Sequence, residues 1–251
     1  MALIQVHFRS QVLQLNMAMN VILPERACPR PDGRWPTLYL MHGIGGDHTV
    51  WQRRTLIERY VEKRDVAVVM PEVHRSFYTD MRHGGRYWTY ISEEIPALCE
   101  RMFPLSPKAA DRYVAGLSMG GYGAMKLGLR CPDRFAAAAS LSGAVDVASI
   151  EVNERGEADV SFFQDIFGDY ESMRDHGDDL CVVAEGLIAQ GTAVPRLYMA
   201  CGTEDFLLQN NRGFMRRYGE ALNITYEEGP GSHTWDFWND YIVKALDWMG
   251  L

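Results

Sequence analysis

The chain has 251 residues, 47% of them apolar and 23% charged, with a formal net charge of −8. That length can bury a sizeable core as one α/β domain, and the composition excludes a fibrous or disordered chain. The acidic balance argues against nucleic-acid and anionic-membrane partners.

No segment approaches the ~18 apolar residues of a membrane-spanning helix. Gln5, Arg9, Gln11 and Gln14 interrupt the start, leaving no apolar signal core, so a cytoplasmic location is expected. Cys28, Cys99, Cys131, Cys181 and Cys201 form no CxxC pair. They are expected to be reduced thiols, mostly buried.

In chain order, Ile4, Val6 and Phe8 alternate with polar neighbours. Leu15, Met17, Met19, Val21 and Leu23 do the same, with Asn16 and Asn20 opposite. This period predicts two half-buried strands and an antiparallel start to a sheet. Pro24–Pro36 reads as a loop. Unalternating apolar runs then follow at 37–41, 66–70, 112–116, 136–140, 196–200 and 224–228. Such runs suit strands covered on both faces. Helices are expected between them at Trp51–Lys63, Ile91–Met102, Gly120–Arg130, Leu180–Gln190 and Asn211–Leu222. Strand alternating with helix predicts an α/β fold: a mostly parallel twisted sheet with helices on both faces. A single domain, 1–251, is expected. Its odd segment is 146–178, which is acidic, Gly-broken and carries Phe162, Phe163, Phe167 and Tyr170. An insertion of that length is expected to cap a site.

Gly116-Leu117-Ser118-Met119-Gly120 is a G-x-S-x-G between an apolar strand and an Ala-, Met- and Leu-rich helix. That context makes it a nucleophile elbow of the α/β-hydrolase type, with Ser118 as the nucleophile. The helix N-terminus beneath it favours developing negative charge. Leu38–Gly46 is a strand entering a glycine-rich loop. In this fold one oxyanion donor follows the nucleophile and the other lies in such a loop. These are the N–H groups of Met119 and Ile44, with Gly43 the neighbouring candidate. His42, at the strand end, is expected to brace the loop.

The fold requires the chain order Ser, acid, His. RLYMACGTEDFLLQ places Asp205 past a strand end, and EEGPGSHTWDFW places His233 in a loop. Asp205 competes with Glu204 and with a plain capping role. His48, His74 and His83 precede Ser118, and His176 precedes Asp205, so His233 is the expected base. Trp235 and Trp238 start the next helix at a spacing that core packing also gives. Trp235 is expected beside the site and Trp238 in the core.

LYLMHGIGGDHTVW, YTDMRHGGRYWTYISEEIPAL, VAGLSMGGYGAMKLGL, CGTEDFL and GSHTWDFW together resemble the tributyrin esterase (EstA-type acetyl esterase) group of the esterase D superfamily. The resemblance spans nearly the whole chain. It implies a serine carboxylesterase without metal or cofactor, acting on a small-molecule ester with an acetyl to butyryl acyl group. It places the triad at Ser118, Asp205 and His233. It brings Tyr87 and Trp88 near the site, as pocket wall or as core, and implies a dimer or tetramer. An S-formylglutathione hydrolase, a carbohydrate acetyl or feruloyl esterase, and a non-catalytic binding protein of the same fold are the alternatives.

Overall fold

The computed structural model describes residues 1–150 and 156–251. Strands β1 (Ala2–Arg9) and β2 (Asn16–Leu23) pair antiparallel, Ala2 opposite Leu23 and Arg9 opposite Asn16. β2 also runs antiparallel to β4 (Ala67–Pro71). The remaining strands are β3 (Thr37–Met41), β5 (Arg112–Leu117), β6 (Ala137–Leu141), β7 (Arg196–Gly202) and β8 (Ile224–Gly229). They join β4 in parallel, giving the sheet order β1-β2-β4-β3-β5-β6-β7-β8. This is the mostly parallel sheet with an antiparallel start that the patterning predicts. Asn20 departs from the pattern. It is buried, and its amide donates to Gln52 Oε1 at 2.5 Å, because helices cover both faces of β2 here.

Helices α1 (Val50–Arg54), α2 (Ile57–Val61), α3 (Tyr87–Thr89), α4 (Ile95–Met102) and α5 (Met119–Arg130) lie in the first half. After these come α6 (Gly156–Phe167), α7 (Tyr170–Asp175), α8 (Leu180–Gln190), α9 (Leu208–Tyr218) and α10 (Trp235–Met249). On one sheet face, Trp51, Ile57, Phe237, Ile242 and Leu246 pack on Leu38, Val68 and Ala139. On the other, Ile95, Tyr122, Leu127, Leu180 and Phe214 pack on Tyr39, Val69 and Val114. Each such side chain, fully buried, contributes about 1.5–3 kcal/mol. Among the described residues no helix is long and apolar enough to cross a membrane. All five cysteines are free, and Cys99, Cys181 and Cys201 are buried, which pushes each of these thiols up to about 12.

Two expected helices are interrupted. Trp51–Lys63 breaks at Thr55, whose Oγ1 donates to the Trp51 carbonyl at 2.5 Å and accepts the Ile57 N–H at 3.2 Å. A side chain competing for backbone groups in this way ends the first turn pair. Before α4 the chain winds as a π-helix over Tyr90–Glu94. Pro96 has no N–H for the Ser92 carbonyl, and Arg134 Nη2 donates to that oxygen instead, at 2.5 Å.

The 146–178 insertion is largely helical, through α6 and α7; its residues 151–155 lie outside the described residues. The His83 and Arg82 N–H groups bond the carbonyls of Asp165 and Ile166, pinning the end of α6. Phe163 and Phe167 set their rings 5.2 and 5.6 Å from Phe77, and Phe167 lies 6.2 Å from Tyr122 of α5.

Candidate active site

β5 lies in register between β3 and β6 and ends directly at Ser118. There the backbone turns at φ +54 and ψ −118, a conformation that costs a residue with a Cβ of order 1–3 kcal/mol. Ser118 is held there by its N–H to the Leu141 carbonyl at 2.9 Å and by its carbonyl, which accepts the Tyr122 N–H at 3.0 Å. Strand and helix touch across the turn. A Cβ on Gly116 would lie 2.3 Å from the Gly120 oxygen, and one on Gly120 would lie 2.5 Å from the Met41 oxygen. No larger residue fits at either place.

The ends of β7 and β8 bring the other two side chains in. Beyond the last pair, Gly202 opposite Gly229, the loops stay laced together. Thr203 N–H bonds the Gly229 carbonyl at 2.8 Å, and Glu204 N–H bonds the Gly231 carbonyl at 3.0 Å. The Glu204 carboxylate accepts the Gly231 N–H at 2.6 Å, so this residue ties down the histidine loop rather than approaching the ring. His233 Nδ1 lies 2.9 Å from Asp205 Oδ2 and 3.1 Å from Oδ1. His233 Nε2 lies 2.9 Å from Ser118 Oγ.

Asp205 Oδ1 also accepts the Leu207 N–H at 2.8 Å, so it shapes the turn before α9 and faces the imidazole at once. Burial raises its pKa, but the His233 hydrogen bond and charge and the Leu207 N–H outweigh that, holding the carboxyl below its usual range. Three rival histidines lie elsewhere. His74 Nδ1 meets Tyr87 Oη at 2.9 Å, His176 Nδ1 meets the Ser172 carbonyl at 2.7 Å, and exposed His83 lies near Asp165.

The loop after β3 is braced from several sides. Buried His42 bonds the Gly43 carbonyl through Nδ1 at 2.8 Å, and its Nε2 lies 3.1 Å from the Val73 nitrogen. Trp51 Nε1 donates to the Met41 carbonyl at 3.0 Å, and Tyr78 Oη donates to the His42 carbonyl at 2.8 Å. Glu72 accepts the backbone N–H groups of His48 and His74 at 3.2 and 2.7 Å. Burial opposes its charge, but His42, the His74 N–H and His48 prevail and bring its carboxyl down to about 2. Among the described residues, neither the Ile44 nor the Met119 N–H has an acceptor in the protein. Both are free to meet an oxyanion beside Ser118.

A cleft of about 460 Å³ opens over Ser118, lined by Gly43, Ile44 and Gly46 of the loop after β3 and by His233, Trp235 and Trp238. Gly43, Ile44 and Trp235 all line this cleft. Trp238 is more than core: it lines the cleft and stands edge-on to His233 at 4.8 Å. Tyr87 and Trp88 are not among the lining residues. Tyr87 is buried against His74 and Tyr90, and Trp88 packs beneath Lys126 and Arg130. They serve the core there, because the segment between β4 and α4 folds onto α5.

Sequence reasoning misses three side chains around the site. Phe206 is 67% exposed with its ring 4.6 Å from that of His233. An aromatic residue directly after the acid, in an otherwise polar turn, was the available signal. Arg53 and Arg54 also line the cleft. On the sequence they fall in the first turn of the expected helix Trp51–Lys63, where charged residues ordinarily face solvent.

Residues 10–249 match the family described as "Putative esterase". The chain belongs to that family. It is a carboxylic ester hydrolase of α/β fold. The esterase is 34% identical to an acetyl esterase of Caldicellulosiruptor saccharolyticus, over 99% of this chain and 98% of that one. It is also 34% identical to the fluorophosphonate-binding serine hydrolase FphF of Staphylococcus aureus, with a TM-score of 0.86 covering 99% and 98% of the two chains. An S-formylglutathione hydrolase structure from the same organism matches at 34% identity and TM-score 0.84, with the same coverage.

Proposed function

We propose that this esterase hydrolyses short-acyl esters, acetyl to butyryl, through a Ser118–His233–Asp205 triad and an acyl-enzyme. The observation that carries the reading is the continuous hydrogen-bonded chain from Ser118 Oγ through His233 to the buried Asp205 carboxylate. His233 Nε2 takes the Ser118 proton as Oγ attacks the acyl carbon. The carbonyl oxygen becomes an oxyanion between the Ile44 and Met119 N–H groups, each worth on the order of 3 kcal/mol. The imidazolium, stabilised by Asp205, then protonates the leaving oxygen, and the acyl–Oγ bond remains. Water attacks that ester by the same steps in reverse, with His233 as base. The 34% identical acetyl esterase supports the short-acyl preference. The contacts of Phe163 and Phe167 with Phe77 support reading 146–178 as a cap packed beside the nucleophile helix.

An acyl-length series of p-nitrophenyl esters tests the substrate range. Maximal kcat/KM is expected between two and four acyl carbons; a maximum at eight or more rejects it. A thioesterase reading is favoured by the S-formylglutathione hydrolase of similar structure. A rate on S-formylglutathione orders of magnitude above that on p-nitrophenyl acetate would establish it instead.

A further inference from the structure

The cleft over Ser118 has an unexpected charge. The chain carries a net −8, yet among the described residues the only charged side chains lining this cleft are the guanidinium groups of Arg53 and Arg54, and no carboxylate lines it. Both arginines are exposed at the end of α1. Arg53 is partly engaged: Nε donates to Thr49 Oγ1 at 2.8 Å, and Nη2 lies 3.4 Å from Asp47. Arg54 has no hydrogen-bond or ion-pair partner among the described residues. It is a fork of donors facing an open cleft, and guanidinium matches a carboxylate in planar, two-point fashion.

The side of the reaction that this end serves follows from the proposed mechanism. His233 hands its proton to the leaving oxygen, so the leaving group departs beside His233, which lines the cleft together with Trp235 and Trp238. Trp235 also stands edge-on to Trp51 of α1 at 5.4 Å, which sets α1 and its two arginines beside this part of the cleft. We infer that the leaving-group end of the cleft receives an alcohol or phenol bearing a carboxylate, and that Arg54, assisted by Arg53, selects it. The inference rests on the esterase reading above and deepens it: the substrates are short-acyl esters of hydroxy acids. The indole rings of Trp235 and Trp238 suit a flat body between the ester and the carboxylate.

The test compares 3-carboxyphenyl acetate with its neutral amide, 3-carbamoylphenyl acetate, which has the same size and reacting bond. The expected kcat/KM ratio of acid to amide is about fivefold at low salt, which is ~1 kcal/mol at 1.4 kcal/mol per tenfold. It should fall toward one in 0.5 M NaCl through screening. Arg54→Gln should bring the ratio near one, and Arg54→Lys should keep part of it. Turnover of the amide by the same variants shows that they are folded. A wild-type ratio at or below one overturns the inference, as does a ratio that survives in the Arg53→Gln/Arg54→Gln double variant. A charge preference on the acyl side instead, for p-nitrophenyl hemisuccinate over p-nitrophenyl butyrate, overturns the placement. If wild-type protein cleaves neither aryl acetate, the esterase reading itself fails; if it cleaves both equally, only the present inference does.

Discussion

Ser118 stores backbone strain, and that strain can be measured separately from its chemistry. At φ +54 and ψ −118 a side-chain-bearing residue pays of order 1–3 kcal/mol. Ser118→Ala removes the hydroxyl and its 2.9 Å contact with His233 but keeps the Cβ and hence the strain. Ser118→Gly removes the same hydroxyl and also the Cβ. Glycine's greater unfolded-state entropy returns about 0.5–1 kcal/mol of that relief, and one lost buried methyl takes part of what remains. Near the middle of the strain range, Ser118→Gly should therefore be more stable than Ser118→Ala by ~1 kcal/mol. For a chain of this size that is about 2–4 °C in Tm. Differential scanning calorimetry of the two variants, side by side, reads it. Equal or lower stability of Ser118→Gly would refute the claim that the elbow is strained, whatever either variant does catalytically.

Asp205→Asn should lower kcat on the order of ten thousandfold, because the amide cannot stabilise the imidazolium or fix its tautomer. Glu204→Gln keeps an acceptor for the Gly231 N–H and should change kcat little; steady-state assays that reverse this order would reassign the acid. Glu72 gives a pH prediction. Its folded-state pKa, about 2 against an ordinary 4.5, means that its ionised form stabilises the fold fully above pH 4.5 and that this contribution is lost as the pH falls toward 2. Glu72→Gln should lower unfolding free energy near neutrality and flatten its dependence on pH between 4.5 and 2 in urea titrations; an unchanged slope contradicts the role.

What the sequence reveals follows the range of the interactions involved. Runs such as Val66–Met70 and Ala136–Ser140 are apolar throughout because both sheet faces are covered, so β4 and β6 lie within a residue of where patterning puts them. The elbow is legible because its demands are local: a strand end, a small residue on each side of the serine and a helix start. The break at Thr55 is less visible, since it depends on one hydroxyl choosing the backbone over solvent. The π-helix at Tyr90–Glu94 depends on Arg134, some forty residues on, capturing a carbonyl that Pro96 leaves free. Arg53 and Arg54 reach the cleft because Trp51 ties α1 to the Met41 carbonyl at the end of β3 and to Trp235, and no period in the chain encodes that meeting. Trp238 shows the same limit: a helix-spaced aromatic serves the core and the cleft together.

The central claim is that Ser118 is the nucleophile, activated by His233. Reaction with a fluorophosphonate, followed by peptide mass spectrometry, tests it most directly. The account predicts a single phosphonyl adduct on the peptide bearing Ser118, formed much more slowly in His233→Ala and absent in Ser118→Ala. An adduct on another residue, or labelling that persists in Ser118→Ala, would contradict it.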